Sequence, residues 1–325
     1  MNVLFITSSR LGDAVLSTGL LDHIIRTHPG AKITVVCGGL PASLFEGVPG
    51  LAEIIVLKKR SFNRHWIGLW RRVAGRRWDI VVDLRDSAVS RLLCAKERFI
   101  HGAHIDRSRH KVEQNAAVMK LGDVPAPRLW FTPAQMKMAR EMIGEGAPVL
   151  AIGPTANWIA KTWPAENFIR IIENLTARDG VLPHARVAVF AAPGEEDAAR
   201  RVLQSVPAER QVDMIAKCDP GTAAAALSLC DFYIGNDSGL MHCAAAAGIP
   251  TLGLFGPSWP HLYRPWGANA AYVSTPESYD ELTAYEGYHP RTVADSLMRN
   301  LTVEKVAGAA GLISRSDDPS RLLVR

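Results

Sequence analysis

The chain is poor in cysteine: Cys37, Cys94, Cys218, Cys230 and Cys243 are five in number, and no two stand in a Cys-x-x-Cys pair. An odd count without paired spacing indicates neither a disulfide framework nor a structural zinc site, and it fits a reducing cytosol. No run of 18 apolar residues occurs, so no segment is expected to cross a membrane. The start, MNVLFITSSRLGDAV, has no basic region before its apolar residues, and VLFI is far shorter than a signal-peptide core. There is no G-x-G-x-x-G, which argues against a dinucleotide dehydrogenase. There is also no D-x-D pair, so no divalent metal bridging a diphosphate, and no other cofactor, is expected.

What is present suits two domains, since 325 residues exceed one typical core. The content of 48% hydrophobic and 21% charged residues is that of an ordinary soluble globular chain. The net charge of +5 hides an asymmetry. Residues 1–130 hold 20 Lys and Arg against 11 Asp and Glu, a net +9, whereas the remainder holds 17 against 21, a net −4. A solvated basic face is the default reading of such an excess, but the first part should attract anions: nucleic acid, an anionic membrane surface or a phosphorylated acceptor.

Short β-rich runs alternate with amphipathic stretches: VLFIT (3–7), ITVVC (33–37), EIIVL (53–57), DIVVDL (79–84) and RFIHG (98–102). After the Pro-rich GDVPAPRLWFTPAQ (122–135), which reads as a linker, the pattern restarts with PVLAIG (148–153), RVAVFA (186–191), VDMI (212–215), DFYIG (231–235) and PTLGLF (250–255). Such alternation implies βαβ units and parallel sheets, hence an α/β chain of two Rossmann-like domains in tandem. Their expected bounds are 1–130 and 131–312, with the last helices able to pack back on the first domain and 313–325 a loose tail.

In open parallel sheets ligands sit beyond the strands' carboxyl ends, and the informative residues lie there. After the first strand, TSSRLGDAVLSTG places Asp13 near a helix start, where it could cap the helix or face a ligand as a base. After the first strand of the second domain, GPTANWIAKTWPAENF offers the neutral hydrogen-bonding groups Thr155 and Asn157 and the cation Lys161. AAPGEEDAARR puts Glu195 at another helix start, to cap it or to meet a ribose. In GNDSGLMH a strand ends and a helix begins within a few residues, so the N–H groups of Ser238, Gly239 and Leu240 suit an anion. Asp237 fits such a site only if it caps the turn or meets a hydroxyl; His242, one turn in, is more often packed than ligand-binding.

In order, SSRLGDAVLSTGLL, DIVVDLR, HKVEQN…KLG, KTWPAENF, NDSGLMHCAAAAGIP and LFGPSWP…RPWG resemble glycosyltransferase family 9, the ADP-heptose:lipopolysaccharide heptosyltransferases. The resemblance implies a GT-B fold, two Rossmann-like domains with parallel sheets facing a central cleft, the first holding an acceptor and the second a sugar nucleotide. It implies an inverting, metal-independent transfer. Asp13 matches the family's general base and Lys161 its diphosphate-binding lysine. Thr155, Glu195, Asp237, Ser238, Gly239, Leu240 and His242 match donor-contacting positions. The basic segment LKKRSFNRHW, with Lys58, Lys59, Arg60 and Arg64, falls where the family meets its anionic glycolipid. The chain departs from the pattern at Gly19, where many members have proline, at Asp86, where glycine is common, and at Cys218, where another apolar residue often faces the donor base.

The expected activity is therefore transfer of a heptose or related sugar from a nucleotide-diphosphate donor, ADP-heptose first, to a lipopolysaccharide inner-core acceptor. Peripheral contact with an anionic inner membrane on its cytoplasmic face goes with this reading, and nucleic acid does not, for want of a recognition motif. The alternatives are a nucleotide-sugar 2-epimerase, which needs no acceptor, and a non-catalytic sugar-nucleotide or glycolipid-binding protein, which needs no base.

Overall fold

The computed structural model describes residues 1–58, 64–286, 288–289 and 292–315. Lys59 and Arg60, and residues 316–325 of the expected tail, lie outside the described residues. The chain divides into two compact units, Met1–Pro133 and Ala134–Arg325.

The first unit runs β1 (Asn2–Ile6), α1 (Leu11–Leu16), α2 (Thr18–Thr27), β2 (Lys32–Cys37), β3 (Leu51–Val56), α3 (Arg64–Val73), β4 (Trp78–Asp83), α4 (Ala88–Leu92), β5 (Ala95–Ile100) and α5 (Lys111–Val118). Among the described residues its five strands are all parallel in the order β3-β2-β1-β4-β5. The central strands carry continuous apolar runs, VLFI in β1, VVC in β2 and IVV in β4, because helices cover both faces of such a sheet. Leu4, Ile6, Val36 and Val81 share a core with Leu69 and Val73 of α3. Strand β5 lies earlier than RFIHG suggested. It carries Lys96, Glu97 and Arg98 exposed at the sheet edge, and register with β4, not hydrophobicity, sets its place.

The Pro-rich stretch read as a linker is strapped to this unit. Arg128 N–H donates to Thr18 Oγ1 at 3.0 Å, and a Cβ on Gly19 would stand 2.2 Å from the Pro125 carbonyl oxygen. That close approach accounts for glycine at position 19. Asp86 has φ 54°, in the left-handed region that a glycine enters without cost, which is the physical counterpart of the family's glycine there.

The second unit runs α6 (Pro133–Ile143, whose first residue ends the first unit), β6 (Val149–Gly153), α7 (Ala165–Thr176), β7 (Arg186–Ala191), α8 (Glu196–Gln204), β8 (Gln211–Ile215), α9 (Pro220–Leu227), β9 (Phe232–Asn236), α10 (Gly239–Ala246), β10 (Thr251–Phe255), α11 (Pro260–Tyr263), β11 (Ala270–Ser274), α12 (Tyr279–Thr283) and α13 (Val303–Arg315). Among the described residues its six strands are parallel in the order β11-β10-β9-β6-β7-β8. Strand β11 had no sequence signal: AAYVS is short, begins with two alanines and becomes a strand through pairing with β10. The closing helix α13 packs on α7 and β11, and Val306, Ala310 and Ile313 join Phe168, Ile171 and Leu254 in one core.

In both sheets the chain reverses its winding between two adjacent strands, β1 and β4 in the first and β6 and β9 in the second. Open α/β sheets bind ligands beyond the carboxyl ends at such a switch point.

Candidate active site

In the second unit the β6–α7 connection makes a short 3-10 turn, Ile159–Lys161, before Pro164 starts α7. Lys161 is turned inward, 9% exposed, and its ammonium donates to Asp237 Oδ2 at 3.0 Å. The same amine lies 5.1 Å from the Trp158 ring centroid. Asp237 thus holds the cation. The turn is fastened from below, because Asn236 Oδ1 accepts from Trp163 N–H at 2.9 Å and the Trp163 indole donates to the Leu301 carbonyl at 2.8 Å.

Next to this pair α10 begins. Its first backbone bond runs from His242 N–H to the Ser238 carbonyl, so the N–H groups of Gly239, Leu240 and Met241 have no acceptor within the helix. Ser238 occupies the N-cap position without a side-chain cap bond. His242 is buried one turn further on. A neighbouring pair joins the loops after β6 and β7: Thr155 Oγ1 donates to Glu195 Oε2 at 2.5 Å, and Ala192 N–H donates to the same oxygen at 3.3 Å. Glu195 stands at the N-cap of α8 but makes no cap bond to it. Asn157 is exposed on the loop after β6.

Tyr233 was missed by sequence reasoning. It lies on β9 with its hydroxyl end over Gly153 and Gly235, where an added Cβ would come within 2.1 Å and 2.3 Å of Oη. Those two glycines face one another across the β6–β9 register, and their lack of side chains is the one signal the sequence carried. Complete burial pushes the hydroxyl well above the ordinary tyrosine range, with the Ser238 side chain opposing the shift. Cys218, after β8, is half-buried. Burial first, and the Asp219 carboxylate second, push its thiol up to about 11, so it behaves as a neutral, nearly apolar group.

In the first unit Asp13 stands in the first turn of α1, half-buried, with Arg10 rather than Asp13 at the N-cap. The Ser8 hydroxyl donates to Asp13 Oδ2 at 3.4 Å. A cavity of about 300 Å³ opens beside it, lined by Arg10, Asp13, Arg85, His101, Lys111 and Asn115 among others. Burial lowers the pKa of Lys111, with the Asp13 charge acting in the opposite sense. Burial, then the Lys111 charge, lowers that of His101. Lys58 and Arg64 are exposed, one after β3 and one at the start of α3, and neither lines this cavity. The cations that do line it, Arg10, Arg85 and Lys111, were not singled out by the sequence reading, although each falls within one of the motifs quoted above.

The family model described as glycosyltransferase family 9 (heptosyltransferase) matches residues 66–287, and the chain belongs to that family. It is therefore a glycosyltransferase, with the GT-B fold of the family's solved members. It is 25% identical over 291 residues to lipopolysaccharide heptosyltransferase 3 of Escherichia coli, covering 79% of this chain and 84% of that one. With lipopolysaccharide heptosyltransferase 2 of E. coli K12 the identity is 24% over 344 residues, covering 89% and 93%. Among solved structures, the family 9 glycosyltransferase of Veillonella parvula superposes with a TM-score of 0.78 at 22% identity, covering 96% of this chain and 97% of that one. The E. coli ADP-heptose lipopolysaccharide heptosyltransferase II superposes at 0.71 and 19%, covering 97% and 98%.

Proposed function

We propose that the chain transfers a heptose, or a related sugar, from a nucleotide-diphosphate donor to a hydroxyl of a lipopolysaccharide inner-core acceptor, inverting the anomeric carbon and using no metal ion. ADP-heptose is the donor expected from the relatives, and several of them are named for lipopolysaccharide heptosyl transfer. The observation that carries the reading is the Lys161–Asp237 pair beside the start of α10, at the switch point of the second sheet. A lysine held by a carboxylate, next to N–H groups without helical acceptors, suits the diphosphate of a sugar nucleotide.

In this mechanism the acceptor oxygen attacks the anomeric carbon from the face opposite the nucleotide while Asp13 takes its proton. The bond from that carbon to the diphosphate breaks, and its electrons leave with the nucleotide diphosphate. Lys161 and the N–H groups at the start of α10 stabilise the charge that develops there. Thr155, Asn157, Glu195, Ser238 and His242 are the remaining donor-binding residues in this reading. The first unit holds the acceptor, and Lys58, Lys59, Arg60 and Arg64 draw in its anionic groups. No described helix is long and apolar enough to cross a membrane. Contact with the lipid surface on the cytoplasmic face is assigned to α3, which leaves Ile67 and Trp70 54% and 41% exposed between Arg64 and Arg71.

The test is a matrix of ADP-, UDP- and GDP-sugars against truncated core glycolipids, with product mass and anomeric configuration determined and each reaction repeated in excess EDTA. The expected result is acceptor-dependent release of nucleotide diphosphate that survives chelation. Conversion of a donor without any acceptor would overturn the reading.

A further inference from the structure

We propose that Asn115 is a positioning residue for the transfer: by donating a hydrogen bond to the end of α1 it holds the Asp13 carboxylate in the place from which it takes the acceptor's proton. The inference rests on the reading of Asp13 as the base and adds the group that fixes it there.

Asp13 stands on a helix that needs outside support. α1 has six residues, too few to be stable alone, and its N-cap Arg10 makes no side-chain cap bond. Ala14, Val15 and Leu16 are buried, but apolar burial has no direction and lets a short helix slide or turn about its axis. Direction comes from the far end of α1. The last carbonyls of a helix lack partners within it, and here three of them are taken by buried side chains. Ser17 Oγ donates to the Ala14 carbonyl at 2.7 Å, Thr18 Oγ1 to that of Val15 at 2.7 Å and Asn115 Nδ2 to that of Leu16 at 3.0 Å. Ser17 and Thr18 are the next two residues of the chain, tied in turn to the Thr7 hydroxyl and the Arg128 N–H. Asn115 comes from α5, 99 positions on, and bonds the helix directly.

The motif HKVEQN holds α5 where that bond can form. His110 N–H donates to Glu113 Oε2 at 2.9 Å, and His110 Nδ1 accepts from Val112 N–H at 3.2 Å, a capping box with an imidazole in place of the usual hydroxyl. Gln114 ties down the incoming loop, its Nε2 donating to the Arg109 carbonyl at 2.7 Å. Asn115 follows Lys111 by one helical turn, is 7% exposed and lines the Asp13 cavity with it. A base must lie within hydrogen-bond reach of the proton it takes, and a displacement of about 1 Å costs on the order of 10²-fold in rate. The bond from Asn115 to Leu16, one turn beyond Asp13, guards against that displacement.

The test uses the full-length chain with Asn115→Leu, which keeps the bulk and removes the donor, and with Asn115→Ala, which admits water to the Leu16 carbonyl should the first variant not fold. Hydrogen exchange reads the bond without any transfer. Amides of residues 11–18 should exchange about tenfold faster in the variants, while residues 149–153 of β6 stay as in the wild type. Turnover should fall about 10–100-fold with donor affinity unchanged. In an Asp13→Asn background the same substitution should cost less than about threefold, because no base is left to misplace. A merely structural asparagine would lower turnover by the same factor in both backgrounds, and that result overturns the proposal, as does unchanged exchange in α1. A wild type without transfer, or an Asp13→Asn variant with normal turnover, removes the base and with it this role; faster exchange in the Asn115 variants would then leave the bond as a feature of the fold alone.

Discussion

Lys161 and Asp237, 76 positions apart, form an ion pair of 3.0 Å in which the two side chains are only 11% and 9% exposed. A buried pair of this kind adds little net stability, because desolvation offsets most of its Coulomb energy, but breaking it from one side is expensive. Its value here is that it sets a cation beside the start of α10.

Asp237→Ala should therefore lower unfolding stability by about 3–5 kcal/mol, since it strands a buried ammonium. The double variant Lys161→Met with Asp237→Leu should recover most of that loss in urea denaturation while failing to bind a nucleotide diphosphate. Full stability in Asp237→Ala would show that the pair does not hold the site.

The Tyr233 hydroxyl is fully buried and interacts with the Ser238 side chain, so Tyr233→Phe should cost about 0.5–1.5 kcal/mol. Gly235→Ala is different, because its Cβ would stand 2.3 Å from that hydroxyl and 2.8 Å from the Gly153 carbonyl oxygen. It should cost about 1–3 kcal/mol, and combining it with Tyr233→Phe should return part of the loss. Strictly additive melting data for the two changes would contradict this account.

Asp13→Asn should reduce turnover by about 10²–10⁴-fold with donor affinity nearly unchanged, because the amide cannot take the acceptor's proton. Steady-state kinetics beside equilibrium donor binding separate the two effects. Near-normal turnover would return Asp13 to the role of a carboxylate that merely complements the start of α1.

On α3, Ile67→Ser with Trp70→Ser should leave stability within about 0.5 kcal/mol per site, since both side chains are exposed. Co-sedimentation with vesicles containing anionic lipid should fall sharply, and the binding that remains should be screened by salt through Arg64 and Arg71. Equal sedimentation of wild type and variant would mean that another surface meets the membrane.

Most of the fold was legible because a parallel sheet covered on both faces writes itself as runs such as VLFI, IVVD and VAVF, which need no partner to be recognised. Where pairing rather than hydrophobicity makes a strand, as in β5 with its exposed Lys96, Glu97 and Arg98 or in β11 with its two alanines, the sequence was silent or displaced. The placing of the candidate residues was legible too, because Asp13, Lys161 and the Asp237–Gly239 turn each follow a strand end, where ligands of open parallel sheets bind.

Which of these residues belong together was decided by strand order. Lys161 follows β6 and Asp237 follows β9, two strands separated by β7 and β8 in the chain, and they touch because β6 and β9 are neighbours at the switch point. Likewise Arg85 after β4, His101 after β5 and Lys111 on α5 reach the cavity of Asp13 because β4 lies beside β1 and β5 beside β4. Local sequence determines the strand, its end and the chemistry placed there. Which ends become neighbours depends on non-local backbone pairing and on the burial of both sheet faces, and that was decided only when the whole chain packed.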